Sequence, residues 1–180
     1  MEQVFVKTFS KLYGRPCWGV KPGIFPSLTL EFGKPQLEIR EPRPPQPQWS
    51  RRLRDGMARR LVVVHGEWHL WVYCCDWSVL VNGRPAGDSS SPRCVQRAAN
   101  ALDGQALVSA DVQVRGCRTV FEFDLGARLE TRPYDRKSEQ WLLYTQSGRV
   151  LTLRADKQFQ FTQGNGSEGE RWQPLVRSRG

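Results

Sequence analysis

The sequence contains no apolar run long enough to cross a membrane, which takes about 20 nearly uninterrupted apolar residues. Its most apolar stretch, residues 61–81, is interrupted by Glu67, His69 and Asp76. The first residues also lack the apolar segment typical of a secretory signal peptide. These absences predict a cytoplasmic protein that is neither membrane-bound nor exported.

Paired cysteine motifs are missing as well. The chain has five cysteines, an odd number, with no Cys-x-x-Cys spacing among them. Disulfide scaffolds and zinc sites both need cysteines in regular sets. We therefore expect reduced thiols at Cys17, Cys74, Cys75, Cys94 and Cys117.

Catalytic signatures are equally scarce, with no Gly-x-Ser-x-Gly elbow and no glycine-rich phosphate loop. The two histidines, His65 and His69, would lie roughly 13 Å apart on an extended strand, too far to bind one metal ion. Acidic residues alternate with apolar ones, as on the solvated face of a sheet, and arginines lie nearby for cross-strand pairing. We predict no catalytic residue, no metal ligand and no cofactor. The acidic residues concerned are Glu31, Glu38, Glu122, Asp124 and Glu130.

The charge is strongly one-sided. The formal net charge is +9, the isoelectric point is near 9.8, and 21 of the 27 basic residues are arginine. This balance favours an acidic partner, whether protein, nucleic acid or membrane surface. The alternative origin of the arginine excess is the base composition of the source genome.

The arginines are densest in residues 51–60, where five of them face only Asp55. A proline-rich segment precedes them, and Ser50 favours a turn of helix that Gly56 weakens. A solvated loop and a nucleic-acid contact are the alternatives to a protein contact. We expect an acidic protein surface to bind here, through Arg51, Arg52, Arg54, Arg59 and Arg60.

Strand patterns dominate the apolar stretch at residues 61–81. Apolar side chains occupy even positions from Trp68 and odd positions from Trp77. Because side chains alternate faces along a strand, this change of phase predicts a turn or bulge at Cys75 and Asp76. The expected core consists of Trp68, Leu70, Val72, Phe121, Phe123, Leu143 and Leu151, beneath Val95, Ala98 and Leu102.

One clear helix is predicted at residues 92–103. Ser91 is a good N-cap, and Gly104 ends the helical pattern. Residues 82–91 before this helix have the composition of a loop. Residues 1–27 contain Val4, Val6 and Phe9 and then a segment rich in glycine and proline, which favours a short strand followed by a loop.

Two segments have the pattern of β-hairpins with related sequences. Residues 28–39 read LTLEFGKPQLEI and residues 121–131 read FEFDLGARLET. This similarity suggests an internal duplication, with pseudo-repeats at about 28–81 and 119–161 joined through the helix. Chance similarity between hairpins is the alternative.

The predicted fold class is mainly β (α+β), a duplicated antiparallel meander that forms a sandwich or a partly open barrel. Residues 1–162 are expected to make one domain. Residues 163–180 are expected to be a flexible tail, from which Trp172 and Leu175 dock back onto the core.

Three strings carry a resemblance: PCWGVKPG at residues 16–23, GEWHLWVYCCDW at 66–77 and EQWLLYTQSGRVLTLRAD at 139–156. With the hairpins and the LDGQ segment, they resemble a family of small, uncharacterised, β-rich bacterial cytosolic proteins, over most of residues 16–156. That family is similar to the compact immunity proteins of bacterial toxin systems, which bind a cognate toxin. The resemblance implies protein binding and assigns no functional residue.

Together these observations predict a non-enzymatic cytosolic protein that binds another protein, an immunity-type protein that neutralises a cognate toxin. The alternatives are a nucleic-acid-binding module and a small-ligand-binding β-barrel. An enzyme without a recognisable signature ranks behind both.

Overall fold

The structure, a computed structural model, describes residues 2–164, 169 and 171–175. In chain order its elements are α1 (Glu2–Phe9), β1 (Cys17–Pro22), β2 (Leu28–Phe32), β3 (Gln36–Arg40), α2 (Arg51–Met57), β4 (Leu61–His65), β5 (Trp68–Val72), β6 (Cys75–Val81), β7 (Arg84–Asp88), α3 (Pro92–Leu102), β8 (Leu107–Gln113), a 3-10 turn (Arg115–Cys117), β9 (Arg118–Phe123), β10 (Ala127–Pro133), β11 (Glu139–Tyr144), β12 (Arg149–Arg154), β13 (Gln158–Gln163) and β14 (Gln173–Pro174).

The strands form two main antiparallel sheets. The larger sheet has the order β1-β2-β5-β11-β12-β13-β14, and the smaller has the order β7-β6-β10-β9-β8. Strands β3 and β4 pair only with each other, as a separate two-stranded sheet. No sheet of the described residues closes into a barrel, so the predicted mainly β (α+β) class takes its sandwich form.

The core lies between the two sheets and under α1. Phe9 of α1 contacts Phe121 of the smaller sheet and Trp141 of the larger, with ring centroids 5.8 and 5.6 Å away. Every residue predicted for the core is buried, including Trp68 at 6% exposure. That prediction is confirmed.

The N-terminal element is helix α1, so the strand predicted there is wrong. The alternation of Val4 and Val6 suggested a strand, but the buried side chains are Phe5 and Phe9. These two are four residues apart, as on one face of a helix. Phe5 packs against Phe159 with ring centroids 5.1 Å apart. Tertiary packing of the phenylalanines therefore overrides the local alternation.

The hairpin predicted at residues 28–39 is also wrong, because β2 and β3 do not pair with each other. Strand β2 pairs with β5, and β3 pairs with β4. The second pair continues the first across a bend, and we call this long bent pair the ribbon. The hairpin predicted at residues 121–131 is confirmed, since β9 pairs with β10. The structural equivalence expected from a duplication is therefore absent between these two segments.

The ribbon bends where residues 33–35 lie opposite residues 66–67. Three residues facing two make a bulge, which bends a strand pair. Gly33 adopts a left-handed backbone with φ of 79°. At Gly66 an added Cβ would lie 2.5 Å from the carbonyl oxygen of Phe32, so only glycine fits. The Gly33-Lys34-Pro35 sequence thus marks a bend within a strand.

Strand β7 occupies part of the predicted loop at residues 82–91, which corrects that prediction. It pairs with β6 through a tight turn at Asn82 and Gly83, whose φ values are 50° and 76°. An Asn-Gly turn with two positive φ angles matches the twist of a β-hairpin.

Helix α3 confirms the helix predicted at residues 92–103. The Ser91 hydroxyl accepts a hydrogen bond of 3.2 Å from the backbone N–H of Cys94. The predicted change of phase is confirmed, but it lies at Tyr73 and Cys74 rather than at Cys75 and Asp76, because β5 ends at Val72 and β6 begins at Cys75 in the other sheet.

Part of the predicted tail docks onto the larger sheet. Leu175 is buried, and the Arg154 guanidinium lies 4.1 Å from the ring centroid of Trp172. The docking of Trp172 and Leu175 is confirmed. Residues 165–168, 170 and 176–180 lie outside the described residues.

Candidate functional site

The ribbon beyond the bend carries one apolar face that the protein leaves exposed. We call residues 36–65, which comprise β3, the connecting segment, α2 and β4, the arm. Leu37 lies opposite Val64 and Ile39 opposite Val62, so all four side chains share one face. Their exposed fractions are 71% and 43% for the first pair and 59% for each member of the second.

Helix α2 and the residues between it and β4 present the arginines predicted to bind a partner. Ser50 caps it by accepting a hydrogen bond of 3.3 Å from the backbone N–H of Leu53, and no residue of α2 is buried. This confirms the turn of helix expected after Ser50. The five predicted arginines are all exposed: Arg51, Arg52, Arg54, Arg59 and Arg60.

The arginines of the arm are only partly neutralised. Arg60 pairs with Glu41 at 3.0 Å, a contact with the other side of the loop that sequence did not predict. Arg51 reaches Asp55 at 4.0 Å, and both side chains are exposed. Arg40 pairs with Glu38 at 2.8 Å. Within the described residues, no ion pair involves the other four arginines of the arm, which are Arg43, Arg52, Arg54 and Arg59.

Four side chains meet where the arm leaves the sheet. We call Glu31, Glu38, His65 and His69 the hinge cluster. The Glu31 carboxylate lies 2.8 Å from Nδ1 of His69 and 4.0 Å from Nδ1 of His65. Nε2 of His65 lies 2.7 Å from the Glu38 carboxylate. Glu31 also accepts a hydrogen bond of 2.9 Å from the backbone N–H of Gly66.

The predicted separation of the two histidines is wrong. Their ring centroids are 6.5 Å apart rather than roughly 13 Å. The estimate assumed one straight strand, whereas the bend at Gly66 brings His65 of β4 toward His69 of β5. In the sequence, Gly66 is the signal that indicated this bend.

Both carboxyl groups of the hinge cluster ionise readily. Burial alone would raise the pKa of Glu31, which is 2% exposed. Hydrogen bonds from His69 and from the Gly66 N–H, with the nearby imidazoles, instead hold that pKa below its ordinary value. The hydrogen bonds from Arg40 are the main cause that lowers the pKa of Glu38 to about 2. Both groups are therefore carboxylates at neutral pH.

The ionised carboxylates fix the proton positions on the histidines. A carboxylate only accepts hydrogen bonds, so Nδ1 of His69 carries the proton shared with Glu31. A neutral imidazole in this form presents Nε2 as an acceptor. No group in the described part of the chain hydrogen-bonds that Nε2 atom. His65 has the opposite arrangement, since its Nε2 donates to Glu38.

A cleft of about 430 Å³ opens beside the hinge cluster. His69, Trp71 and Tyr144 line it from the outer face of the larger sheet, opposite the core. Glu38, Arg40 and His65 line it from the arm. The arm thus forms one wall of the cleft.

The other acidic residues considered from sequence are held in ion pairs or turns. Glu130 pairs with Arg118 of the neighbouring strand β9 at 3.1 Å and with Arg132 of its own strand at 2.7 Å. The cross-strand pairing predicted for Arg132 is therefore wrong, because Arg132 pairs within β10. Asp124 accepts a hydrogen bond of 2.7 Å from the backbone N–H of Ala106. All five cysteines are unpaired. No group of three or more metal-ligating side chains occurs in residues 2–164, 169 and 171–175.

Comparison with known proteins identifies no relative, since no protein-family model, no curated protein and no solved structure matches this chain. No helix within the described ranges is long and apolar enough to span a membrane.

Proposed function

We propose that this protein is a non-enzymatic binding protein whose arm contacts an acidic protein partner. The observation that carries the proposal is the exposed apolar face of an arm in which Arg43, Arg52, Arg54 and Arg59 have no ion-pair partner among the described residues. A partner that covers both features would have aliphatic side chains surrounded by carboxylates.

The apolar face supports a protein partner in particular. Leu37, Ile39, Val62 and Val64 form two adjacent cross-strand pairs, which makes the patch contiguous. Contiguous apolar patches on a protein surface mark interaction sites, and exposed two-stranded edges invite pairing with another chain. Burying an aliphatic side chain completely contributes about 1.5–3 kcal/mol. Four such side chains therefore supply the main source of affinity.

The positive charge of the arm favours a partner with a negatively charged surface. The arm carries seven arginines against Glu38, Glu41 and Asp55, a net charge of +4. Exposed ion pairs contribute only about 0–1 kcal/mol each, so the arginines add little affinity. They raise the rate of encounter with an acidic surface and fix its orientation.

Nucleic acid is the main competitor for the arginines. Phosphate contacts would use the guanidinium groups of α2 but would leave the aliphatic face of the arm uncovered. A protein surface accounts for both features, which is why we favour it.

The cellular role we propose is that of a cytoplasmic immunity-type protein that neutralises a cognate bacterial toxin. Its support is the sequence resemblance described above and the exposed arm, which needs no catalytic group to act. A toxin gene beside the encoding gene would support this role.

Site-specific photocrosslinking in cells of the source organism tests the proposal. A photoreactive residue at Ile39 or Val62 should crosslink to one acidic protein. The same residue at Val108, exposed on β8 outside the arm, is the matched control and should not. Crosslinks to nucleic acid, or equal yields at all three positions, would contradict a protein-binding arm.

A further inference from the structure

The cleft beside the hinge cluster has the size of a small-molecule site. Its volume of about 430 Å³ lies within the range of about 300–1,000 Å³ that such sites occupy. It lies on the outer face of the larger sheet, apart from the apolar face of the arm, because Glu38 and His65 occupy the opposite face of the ribbon.

Most polar groups of the cleft are already engaged within the protein. Glu38 accepts from Arg40 and His65. Glu67 accepts from Arg15 at 3.0 Å and from Gln146 at 3.2 Å. These carboxylates contribute an electrostatic field rather than open hydrogen-bonding positions.

Nε2 of His69 is different, because the described residues offer it no partner. Glu31 holds the other ring nitrogen from the buried side and so fixes the direction in which the imidazole points. A fixed acceptor in a cleft selects ligands that donate a hydrogen bond, since a ligand without a donor would desolvate that atom without replacing its hydrogen bond to water.

The walls and the charge of the cleft define the rest of the ligand. Trp71 and Tyr144 are aromatic, and the Tyr144 ring centroid lies 5.7 Å from that of His69. Flat aromatic ligands pack well against such rings. The carboxylates of Glu31, Glu38 and Glu67 outnumber the guanidinium groups of Arg40 and Arg15, which pair with Glu38 and Glu67. This excess of negative charge opposes the binding of anions.

We propose that this cleft is a binding site for a small aromatic molecule, neutral or cationic, that donates a hydrogen bond to Nε2 of His69 and lies against Trp71. The site is separate from the protein contact of the arm and does not depend on it. It assigns a role to an imidazole that the protein-binding function leaves unused.

Three probes of similar size but different charge test the site on the whole protein by NMR. They are benzamide, which is a neutral donor, benzamidine, which is a cationic donor, and benzoate, which is an anion without a donor. We expect benzamide and benzamidine to shift the Trp71 indole signal and the His69 Nε2 nitrogen signal. We expect benzoate to bind at least about tenfold more weakly.

Variants separate the ligand site from a purely structural cluster. Trp71→Leu should weaken benzamidine binding about tenfold, whereas Tyr134→Leu, an exposed aromatic outside the cleft, should not change it. His69→Phe keeps a ring but removes the acceptor and should weaken binding by a similar factor. If His69→Phe does not fold, the proposal is tested by the shift of the His69 Nε2 signal in the wild-type protein and by the affinity of Trp71→Leu for benzamidine. Absence of shifts at these residues, or benzoate binding as tightly as benzamidine, would overturn the proposal.

Discussion

Glu31 and His69 lie directly opposite each other on β2 and β5, and the Glu31 carboxylate accepts a hydrogen bond of 2.8 Å from Nδ1 of His69. The second carboxylate oxygen accepts from the backbone N–H of Gly66, at the bend of the ribbon. One buried carboxylate thus joins the sheet to the start of the arm. We expect this contact to stabilise the bend of the ribbon.

Replacing Glu31 at two pH values tests how much this contact contributes to the stability of the fold. Its pKa is lower in the folded protein than the ordinary value of 4.5. The carboxylate therefore stabilises the fold above about pH 4.5, and the contribution is lost as the pH falls through the lower folded value. Glu31→Gln should reduce the free energy of unfolding by about 1–3 kcal/mol at pH 7 and by less at pH 3. Urea denaturation at both pH values measures the difference, and an equal loss at both would contradict it.

Gly66 should tolerate no side chain. An added Cβ would meet the Phe32 carbonyl oxygen at 2.5 Å, whereas at Gly56 in α2 it would meet nothing within 4 Å. We expect Gly66→Ala to cost about 1–3 kcal/mol or more through overpacking. Gly56→Ala should cost nothing or stabilise by up to about 1 kcal/mol, since alanine favours helix. Equal thermal stability of the two variants would show that the bend is not tightly packed.

The two faces of β5 should respond differently to truncation. Trp68 faces the core at 6% exposure, whereas Trp71 faces the cleft. Trp68→Ala should lower the free energy of unfolding by about 3–5 kcal/mol. Trp71→Ala should lower it by roughly 1 kcal/mol, because it leaves no sealed cavity. Chemical denaturation of both variants checks this, and a loss under about 1 kcal/mol for Trp68 would place it outside the core.

Period-two and period-3.6 patterns sufficed to predict the mainly β class and several of its elements, but not how β2 and β3 pair. The strand at Trp68, the change of phase near Cys75 and helix α3 follow from alternation and capping, which are local. Helix α1 did not, because the packing of Phe5 and Phe9 against distant rings decides it. The four-residue spacing of Phe5 and Phe9 fits a helix and the spacing of Val4 and Val6 fits a strand, so local sequence alone does not decide between them.

The site was less predictable than the fold. The exposed arginines follow from composition, but the apolar face depends on which strand pairs with β3. Gly33-Lys34-Pro35 resembles a hairpin turn, and only the pairing of β2 with β5 shows that it is a bend. The hinge cluster arises from that bend, so a pattern read along one strand placed His65 and His69 too far apart.

The arginines of α2 should affect encounter rather than folding. Arg51, Arg52 and Arg54 are exposed, and α2 has no buried residue. Changing all three to serine should slow association with the partner about tenfold at low salt and reduce its salt dependence. Thermal stability should not change. Stopped-flow association at two salt concentrations provides the measurement.

The matched control for these arginines removes the same charge elsewhere. Arg84, Arg93 and Arg136 are exposed residues outside the arm, and their change to serine should leave the association rate nearly unaltered. If both triple variants slow association equally, total charge rather than the arm attracts the partner.

Charging the apolar face of the arm tests most directly whether that face binds the partner. Ile39→Asp combined with Val62→Asp places two carboxylates at an opposed cross-strand pair, both positions being 59% exposed. The partner identified by crosslinking is purified in its unmodified form. Isothermal titration calorimetry then compares its affinity for this variant with its affinity for Val108→Asp. We predict a loss of affinity of about 100-fold or more for the arm variant, no loss for Val108→Asp, and a folded protein in both cases. Unchanged affinity in the folded arm variant would show that the apolar face of the arm does not bind the partner.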